Sequence, residues 1–492
     1  MTLPTVPGVE AVHNAIAGEQ RPAAGAATFE KLAPATGEVL TRVARSDRRD
    51  VEAAVAAAKD VQPAWAARTV ADRGVILRRI AQALERDSDR VAAVVAAETG
   101  KSPADARGET GAAIEMGYFV AGEGRRFYGR TTTSGVPHRQ AMVVRQPLGV
   151  AGLIIAANTP IANVAWKVFP ALLCGNAAVL KASEDTPGTA ALFAELAAAA
   201  GLPPGVLNVV QGFGEEAGQP LVEHPDVAVV SFTGSTAVGR RIAAIAGERL
   251  AKVCLELGGK NPLIVCDDAD LPAAAEAAAL SAYSNAGQRC AAGSRLLVFD
   301  AVYDEFVSLL LERTRRLRVG SEDGDDFGPV INERQLDAML DAVRTAQAGG
   351  ARVLAGGERL TDPDHSGGFY MAPTLLEGAP LDSAIARTEL FGPIATLHRV
   401  AGFDDALAAA NASPYGLTAA IWTASMHRGQ EFLARVASGV ASVNGPTYGS
   451  EPHMPFGGLR ASGNGWREAG TEALDVYSDL KTLYVNHDPR RV

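Results

Sequence analysis

From Pro147 to Leu257 the chain alternates short apolar runs with amphipathic stretches, and few folds accept that rhythm. Val150–Ala157 reads as a buried strand, Val164–Leu173 as a helix, Ala178–Lys181 as a short strand and Thr189–Ala200 as a helix. Val206–Val210 and Val227–Phe232 are further strands. The latter leads through Thr233 and Gly234 into a helix over Ser235–Ala246, and Lys252–Leu257 closes the series. A helix between two strands carries the chain back to the edge it left, so the strands pair in parallel. The expectation is an α/β fold whose sheet is covered on both faces and binds ligands beyond the carboxyl ends of its strands.

At 492 residues the chain is long enough for two or three domains. Residues 49–65 and 68–100 show helical apolar spacing. Residues 131–146, rich in β-formers and turn residues, predict an extended excursion. A second α/β segment opens with a strand over Pro262–Cys266 and helices over Ala273–Asn285 and Tyr303–Leu317, and Val476–Val485 reads as a terminal strand. This divides the chain into 1–130 with 147–257, then 258–445, with 131–146 and 470–487 set apart as extensions. Only the first ten residues read as unstructured.

The formal net charge of −10 argues against a nucleic-acid partner. No run approaches the ~18 apolar residues of a membrane helix, and MTLPTVPGVE lacks the basic start and apolar core of a secretory signal. The four cysteines, Cys174, Cys254, Cys266 and Cys290, form no CxxC pair, so neither a disulfide framework nor a metal site is expected. A reducing cytoplasm is the natural setting, one in which a reactive thiol stays free.

Three motifs carry chemistry. Gly212-Phe213-Gly214-Glu215-Glu216-Ala217 matches the dinucleotide pattern G-x-G-x-x-A, but it comes late in the strand series and lacks the acidic residue that should close a later strand. An ordinary tight turn, one that can lie near an adenine, is the better explanation. Ser231-Phe232-Thr233-Gly234-Ser235-Thr236 ends a strand and opens a helix, which suits either a phosphate or a plain N-cap. Asn285-Ala286-Gly287-Gln288-Arg289-Cys290 sets a cysteine after a glycine turn, and Leu255-Glu256-Leu257-Gly258-Gly259-Lys260-Asn261-Pro262 supplies a glutamate at a strand end. Alone, each is an ordinary structural residue. Together they offer a nucleophile and a base.

With these motifs, and with Ala33-Pro34-Ala35-Thr36-Gly37-Glu38, Glu389-Leu390-Phe391-Gly392-Pro393, Asn411 with Tyr415-Gly416-Leu417, and Pro455-Phe456-Gly457-Gly458, the sequence resembles the aldehyde dehydrogenase superfamily over nearly its whole length. The resemblance implies a Rossmann-like cofactor domain, an α/β catalytic domain carrying the cysteine and a β-strand oligomerisation extension. It implies oxidation of an aldehyde to the acid with reduction of NAD, or alternatively NADP, through a thiohemiacetal and a thioester on Cys290. Glu256 is then the candidate base for the Cys290 thiol and also activates the hydrolytic water, and Asn158, in Ala156-Ala157-Asn158-Thr159-Pro160, donates to the oxyanion together with the Cys290 N–H. Lys181, Ser183, Glu184, Gly214, Phe232, Gly234, Ser235, Leu257, Glu389 and Phe391 fall at cofactor positions. Glu184 goes with NAD, because a carboxylate repels a 2′-phosphate. Trp166 falls in the substrate tunnel, Glu468 at a second carboxylate that relays protons, and the extensions imply a homodimer or homotetramer.

The departures concern the substrate. Ala157 and Thr159 stand where the family commonly has aromatic residues around the asparagine, which implies a wider or more polar slot. Arg460 replaces the usual lysine after Pro-Phe-Gly-Gly, and one extra residue lies before Glu468. Arg289 either meets the distal carboxylate of a semialdehyde or merely stabilises its loop, and Tyr448-Gly449-Ser450-Glu451-Pro452-His453-Met454 with the inserted Trp466 resembles the semialdehyde branch, which includes 2-oxoglutarate semialdehyde dehydrogenases. Three rivals follow from the same residues. A cysteine hydrolase would need His453 beside the thiol. A phosphorylating or coenzyme-A-acylating relative would leave Glu256 without a task. A non-catalytic scaffold would not need the cysteine.

Overall fold

The computed structural model describes residues 11–491, so the N-terminal stretch read above as unstructured and signal-free lies outside the described residues. Five short strands come first: β1 (Ala11–Val12), β2 (Asn14–Ile16), β3 (Glu19–Arg21), β4 (Thr28–Leu32) and β5 (Val39–Ala44). Four helices follow: α1 (Arg48–Ala67), α2 (Val70–Arg86), α3 (Ser88–Thr99) and α4 (Pro103–Gly122). Their starts are fixed by side-chain caps. Asp47 and Asp50 form a reciprocal capping box on α1, Thr69 caps α2, and Ser102 with Pro103 opens α4.

Residues 68–100 are therefore two helices and not the single one expected. Asp87 leaves helical geometry (φ −100°, ψ 18°), and the chain turns there so that α3 packs its valines against α4 and α6. The N-terminal strands and α4 had no counterpart in the sequence reading.

Next come β6 (Arg130–Thr132) and β7 (Arg139–Pro147), then the alternation β8 (Val150–Ile154), α5 (Pro160–Leu173), β9 (Ala177–Lys181), α6 (Pro187–Ala199), β10 (Leu207–Val210), α7 (Gln219–Glu223), β11 (Val227–Thr233), α8 (Thr236–Glu248) and β12 (Lys252–Glu256). These build a seven-stranded sheet in the order β12-β11-β8-β9-β10-β2-β3. Its first five strands are parallel and β2 and β3 extend it antiparallel. The strand expected over Val150–Ala157 ends at Ile154, and the chain leaves the sheet just before Asn158.

The remainder runs β13 (Pro262–Val265), α9 (Leu271–Tyr283), β14 (Arg295–Phe299), α10 (Tyr303–Arg316), α11 (Glu333–Ala348), β15 (Arg352–Ala355), β16 (Thr374–Glu377), α12 (Ala384–Arg387), β17 (Ile394–Val400), α13 (Phe403–Asn411), β18 (Thr418–Trp422), α14 (Met426–Arg435), β19 (Val440–Val443), α15 (Ala473–Val476) and β20 (Ser478–Asn486). A second seven-stranded sheet has the order β15-β16-β17-β14-β13-β18-β19. The helix expected to reach Asn285 stops at Tyr283, because Asn285 and Ala286 adopt left-handed conformations. The excursion and the terminal strand pair with each other: β20 lies antiparallel to β7 from Ser478 opposite Pro147 to Asn486 opposite Arg139.

Among the described residues no helix is long and apolar enough to cross a membrane, and no cluster of histidine, cysteine, aspartate or glutamate is arranged to hold a metal.

Candidate active site

The parallel register brings successive strand ends to one line. Ile154 lies opposite Lys181 and Phe232, and Thr233 opposite Glu256. The loops leaving these ends carry Asn158 after β8, Ser183 and Glu184 after β9, Gly214 after β10, and Gly234 and Ser235 after β11. Leu257 follows β12. This is the edge at which open parallel sheets bind ligands.

Cys290 sits on a loop between α9 and β14, and three consecutive left-handed residues shape its approach: Asn285 (φ 54°), Ala286 (φ 53°) and Gly287 (φ 65°). A side chain at Gly287 would strike the Gly392 carbonyl, so glycine is required there. Gln288 anchors the loop by accepting from the Ile331 N–H at 2.9 Å, and Asn261 Nδ2 donates to the Cys290 carbonyl at 2.8 Å. Thr447 Oγ1 donates to the Ala291 carbonyl at 2.6 Å. The Cys290 thiol is half-buried, whereas the other three cysteines are buried. Burial, followed by the charges of Glu389 and Glu256, pushes the Cys290 thiol up to about 12, with an N–H from Ala291 pulling the other way.

Glu256 is buried, and neither of its carboxylate oxygens has a hydrogen-bond partner among the described residues. Burial and then the charge of Glu468 raise its carboxyl well above the usual range, against the pull of Lys167 and Arg467. Glu468 is itself buried but well served. Its Oε1 accepts from Lys167 Nζ and, at 2.6 Å, from Ser231 Oγ. Lys167 Nζ also donates to Ser231 Oγ at 2.8 Å. Glu256 is thus a bare carboxylate beside a satisfied one.

Asn158 is held through its backbone. Its carbonyl accepts from Lys101 Nζ at 2.9 Å and from Asn285 Nδ2 at 3.2 Å, while its side-chain amide makes no hydrogen bond with the described residues. Lys101 pairs with buried Glu109 at 2.6 Å, and Glu109 Oε1 accepts the Ile161 N–H at the start of α5. Lys101, Glu109 and Asn285 were not singled out from sequence. The only local signal was the glycine before Lys101, which ends α3 in a left-handed turn (φ 74°) and throws the lysine inward.

On the cofactor side, Lys181 Nζ donates to Glu184 Oε2 at 2.9 Å. Burial alone would raise the Glu184 carboxyl, but the Lys181 ammonium prevails and the net shift is downward. Ser235 caps α8 by accepting from Val238 N–H at 3.4 Å. Gly214 opens one turn of π-helix, Gly214–Gly218. Glu389 Oε1 accepts from the Gly259 N–H at 3.0 Å, and a side chain at Gly258 would overlap the Glu389 carboxylate. Burial pushes the Glu389 carboxyl up to about 7. Phe391 is left-handed (φ 57°), and Phe232 and Leu257 are buried.

Each residue read as substrate-facing has its own neighbours. Trp166 on α5 meets Phe456 edge-on at 5.5 Å between ring centroids. Thr159 Oγ1 accepts from Asn163 Nδ2 at 2.9 Å. The Arg289 guanidinium lies 4.9 Å from the Tyr448 ring centroid, and its buried Nε has no hydrogen-bond partner. Arg460 is occupied elsewhere, donating to the Asn411 and Ser413 carbonyls.

Two α/β sheets thus carry on their loops a half-buried thiol, a bare carboxylate and an unengaged amide, the groups that thiol chemistry on a carbonyl needs. Residues 21–483 match the aldehyde dehydrogenase family, and the chain belongs to it. It is an enzyme that oxidises aldehydes, in a family that uses NAD or NADP. The alpha-ketoglutaric semialdehyde dehydrogenase of Bacillus subtilis is 38% identical over 450 residues, covering 91% of this chain and 92% of that protein. The crystal structure of an NAD-dependent aldehyde dehydrogenase from Sinorhizobium meliloti superposes with a TM-score of 0.94 at 36% identity, covering 98% of this chain and 96% of that one. Betaine aldehyde dehydrogenase from Staphylococcus aureus, crystallised with NAD+, gives 0.96 at 30% identity, covering 99% and 96%.

Proposed function

We propose that this enzyme is an NAD-dependent, thioester-hydrolysing dehydrogenase of carboxylate-bearing semialdehydes, with Cys290 as nucleophile and Glu256 as general base. The observation that carries the reading is the pairing of a half-buried Cys290 thiol with a Glu256 carboxylate that no hydrogen bond engages. A carboxylate that only stabilised the fold would be bonded, as Glu109 is.

Cys290, as the thiolate, adds to the aldehyde carbon. The developing oxyanion takes hydrogen bonds from the Asn158 amide and the Cys290 N–H, neither of which is engaged within the described chain. A nicotinamide held by Glu389 and Phe391 would supply the acceptor for the hydride lost from the thiohemiacetal carbon, and that loss leaves the acyl group on Cys290 as a thioester. Glu256 then takes a proton from water as the water's oxygen attacks the thioester carbonyl. The C–S bond breaks, Cys290 leaves as thiolate and the acid departs. Glu468, bonded to Lys167 and Ser231, offers the proton a way from Glu256. Retention of this bare base favours hydrolysis over transfer to phosphate or coenzyme A.

The donor set fits a dinucleotide. Lys181 and Glu184 offer a cation and a carboxylate to ribose hydroxyls, with Ser183 beside them. Ser235, Gly234 and the first turn of α8 offer N–H groups to a pyrophosphate, with Phe232, Leu257 and Gly214 alongside. Glu389 and Phe391 suit the second ribose and the flat ring. Glu184 favours NAD over NADP.

Arg289 supplies the substrate preference. A buried guanidinium N–H without a partner is costly unless a ligand meets it, and an acid at the far end of the aldehyde would do so. The curated relative's name, a semialdehyde dehydrogenase, agrees. Arg289→Ala should lower kcat/KM for an acidic semialdehyde by about 10- to 100-fold, the worth of a charge-assisted hydrogen bond, and leave its uncharged analogue unchanged. Equal loss for both would leave Arg289 a loop residue. Asn158→Ala should lower kcat by roughly 10²–10³ with KM little changed, as removal of one oxyanion donor does. An unchanged kcat would remove Asn158 from the mechanism.

The division into cofactor (1–130, 147–257) and catalytic (258–445) domains, with 131–146 and 470–487 as oligomerisation segments, belongs to the same reading. Leu480, Tyr484 and Val485 on β20 are exposed, which suits burial in a homodimer or homotetramer in the cytoplasm. Light scattering tests it, and a clean monomer would reject that part.

A further inference from the structure

Asn158 lies in the loop between β8 and α5, and much of what holds that loop comes from elsewhere in the chain. Thr159 precedes α5 without capping it by its side chain. Free N–H groups of the first turn go instead to Glu109 on α4, whose Oε1 accepts from Ile161 at 2.9 Å and from Ala162 at 3.4 Å. The other oxygen of Glu109 accepts from Lys101 Nζ at 2.6 Å, and Lys101 Nζ donates in turn to the Asn158 carbonyl at 2.9 Å. Both charged side chains are buried. A buried ion pair is costly to desolvate, and further hydrogen bonds of this kind are what offset that cost.

The Asn158 carbonyl has a second donor, and it comes from the thiol loop. Asn285 Nδ2 reaches that carbonyl at 3.2 Å and also donates to the Gln288 carbonyl at 3.2 Å, two residues before Cys290. Asn285 is left-handed (φ 54°), a conformation that asparagine tolerates. Packing joins the same two regions again. A side chain at Gly100 would strike Pro329, and one at Gly328 would strike the Gly100 carbonyl. Gln288 Nε2 donates to the Pro329 carbonyl at 3.3 Å, and Gln288 Oε1 accepts from the Ile331 N–H at 2.9 Å. The Asn158 loop leaves the first sheet and the Cys290 loop enters the second, so these contacts fix a loop of one sheet against a loop of the other.

We infer that Lys101, fixed by Glu109, and Asn285 clamp the Asn158 carbonyl so that the Asn158 side-chain amide and the Cys290 N–H converge on one oxygen. An oxyanion site assembled from two sheets needs both donors held to within about 0.5 Å. Neither donor can be held through the N–H that it presents to the oxygen. Clamping the backbone carbonyl fixes Asn158 and leaves its amide free for the substrate. Lys101, Glu109 and Asn285 are positioning residues and touch no reactant. Their role rests on the reading of Asn158 as an oxyanion donor.

The test is a pair of mutant cycles with Asn158→Ala. Lys101→Met with Glu109→Gln removes the ammonium without stranding a buried carboxylate. Asn285→Gly removes the amide while glycine keeps the left-handed turn, and Cys290 stays anchored by Asn261 and Thr447. Each should lower kcat by about 10- to 100-fold, the scale of a misplacement of about 1 Å, with KM little changed. In the Asn158→Ala background no amide remains to be aimed, so each should cost less than about threefold more, because residues acting as a unit are not additive. Alkylation of Cys290 by iodoacetamide forms no oxyanion and should keep its wild-type rate in both. A full loss repeated in Asn158→Ala in either cycle, an unchanged kcat in the native background, or a thiol that alkylates more slowly would overturn the proposal, since each places the effect elsewhere. Should Lys101→Met with Glu109→Gln not fold, the Asn285→Gly cycle decides alone. Asn158→Ala by itself separates the two readings. If its kcat is that of the wild type, the oxyanion assignment fails and the clamp has nothing to aim. If its kcat falls while the clamp variants keep theirs, only the clamp fails.

Discussion

Cys290→Ala should abolish aldehyde oxidation, leaving less than about 10⁻⁴ of the wild-type rate, the scale of loss when a covalent nucleophile is removed, while the folded protein keeps its unfolding midpoint within about 1 °C of wild type, a surface-like effect. The loop that presents the thiol is held through its backbone and neighbours: Asn261 on the Cys290 carbonyl, Thr447 on the Ala291 carbonyl and Gln288 on the Ile331 N–H. None of these contacts uses the sulfur, so its removal leaves the loop in place. The other cysteines cannot substitute. Cys174, Cys254 and Cys266 are buried beyond the reach of a reagent, whereas Cys290 is partly exposed. One thiol per native chain should therefore react with iodoacetamide, and all four after unfolding. Initial rates, a melting curve and a mass spectrum of the alkylated protein check this. Turnover surviving in Cys290→Ala would end the assignment. Loss of turnover with a collapsed midpoint would mean that the cysteine is structural.

The same loop shows what a sequence can disclose. Parallel strands buried on both faces read as unbroken apolar runs, so the first sheet was legible from its hydrophobic rhythm. The motifs around Glu256 and Cys290 could be found because glycine occupies Gly258, Gly259 and Gly287, where any side chain would meet Glu389, Cys290 or Gly392. The supports of Asn158 were not legible. Lys101 and Glu109 lie on different elements from the residue they hold, and in a sequence each is one charged residue among many. The strands β1 to β5 escaped for another reason: β3 is wholly exposed and β1 has two residues, so backbone pairing defines them and no apolar pattern does. The break at Asp87 was masked because the apolar spacing continues across it, from Leu84 to Val91, although Asp87 and Ser88 are residue types that favour helix ends. Patterns made by burial were therefore readable, and those made by charges meeting across the fold were not.

Glu256→Gln should lower steady-state turnover by about 10²–10⁴, the usual contribution of a general base, and should remove the rise of kcat with pH. The direction follows from the setting of the carboxylate. Burial and the neighbouring Glu468 raise the Glu256 carboxyl well above the usual range, so the basic form appears only as pH climbs past that raised value. In the wild type the water-activating step should thus accelerate with pH, and glutamine, which has no proton to lose, should flatten the profile. The same shift fixes a stability effect of defined sign. A carboxyl raised in the fold binds its proton more tightly there than in the unfolded chain. Above the ordinary carboxylate range the native state must then either keep that proton or bury an unpaired charge, and stability falls as pH rises toward the raised value. Glu256→Gln escapes that fall, so its unfolding midpoint relative to wild type should increase as pH rises from mildly acidic to alkaline. Cys290 supplies an internal control. The Glu256 charge helps to push its thiol up, so the variant thiol should alkylate at least as fast as the wild type at any given pH. Turnover lost with alkylation preserved places Glu256 at the water. If alkylation slows in step with turnover, Glu256 is instead needed to deprotonate the thiol, and the assignment of the hydrolytic base passes to Glu468.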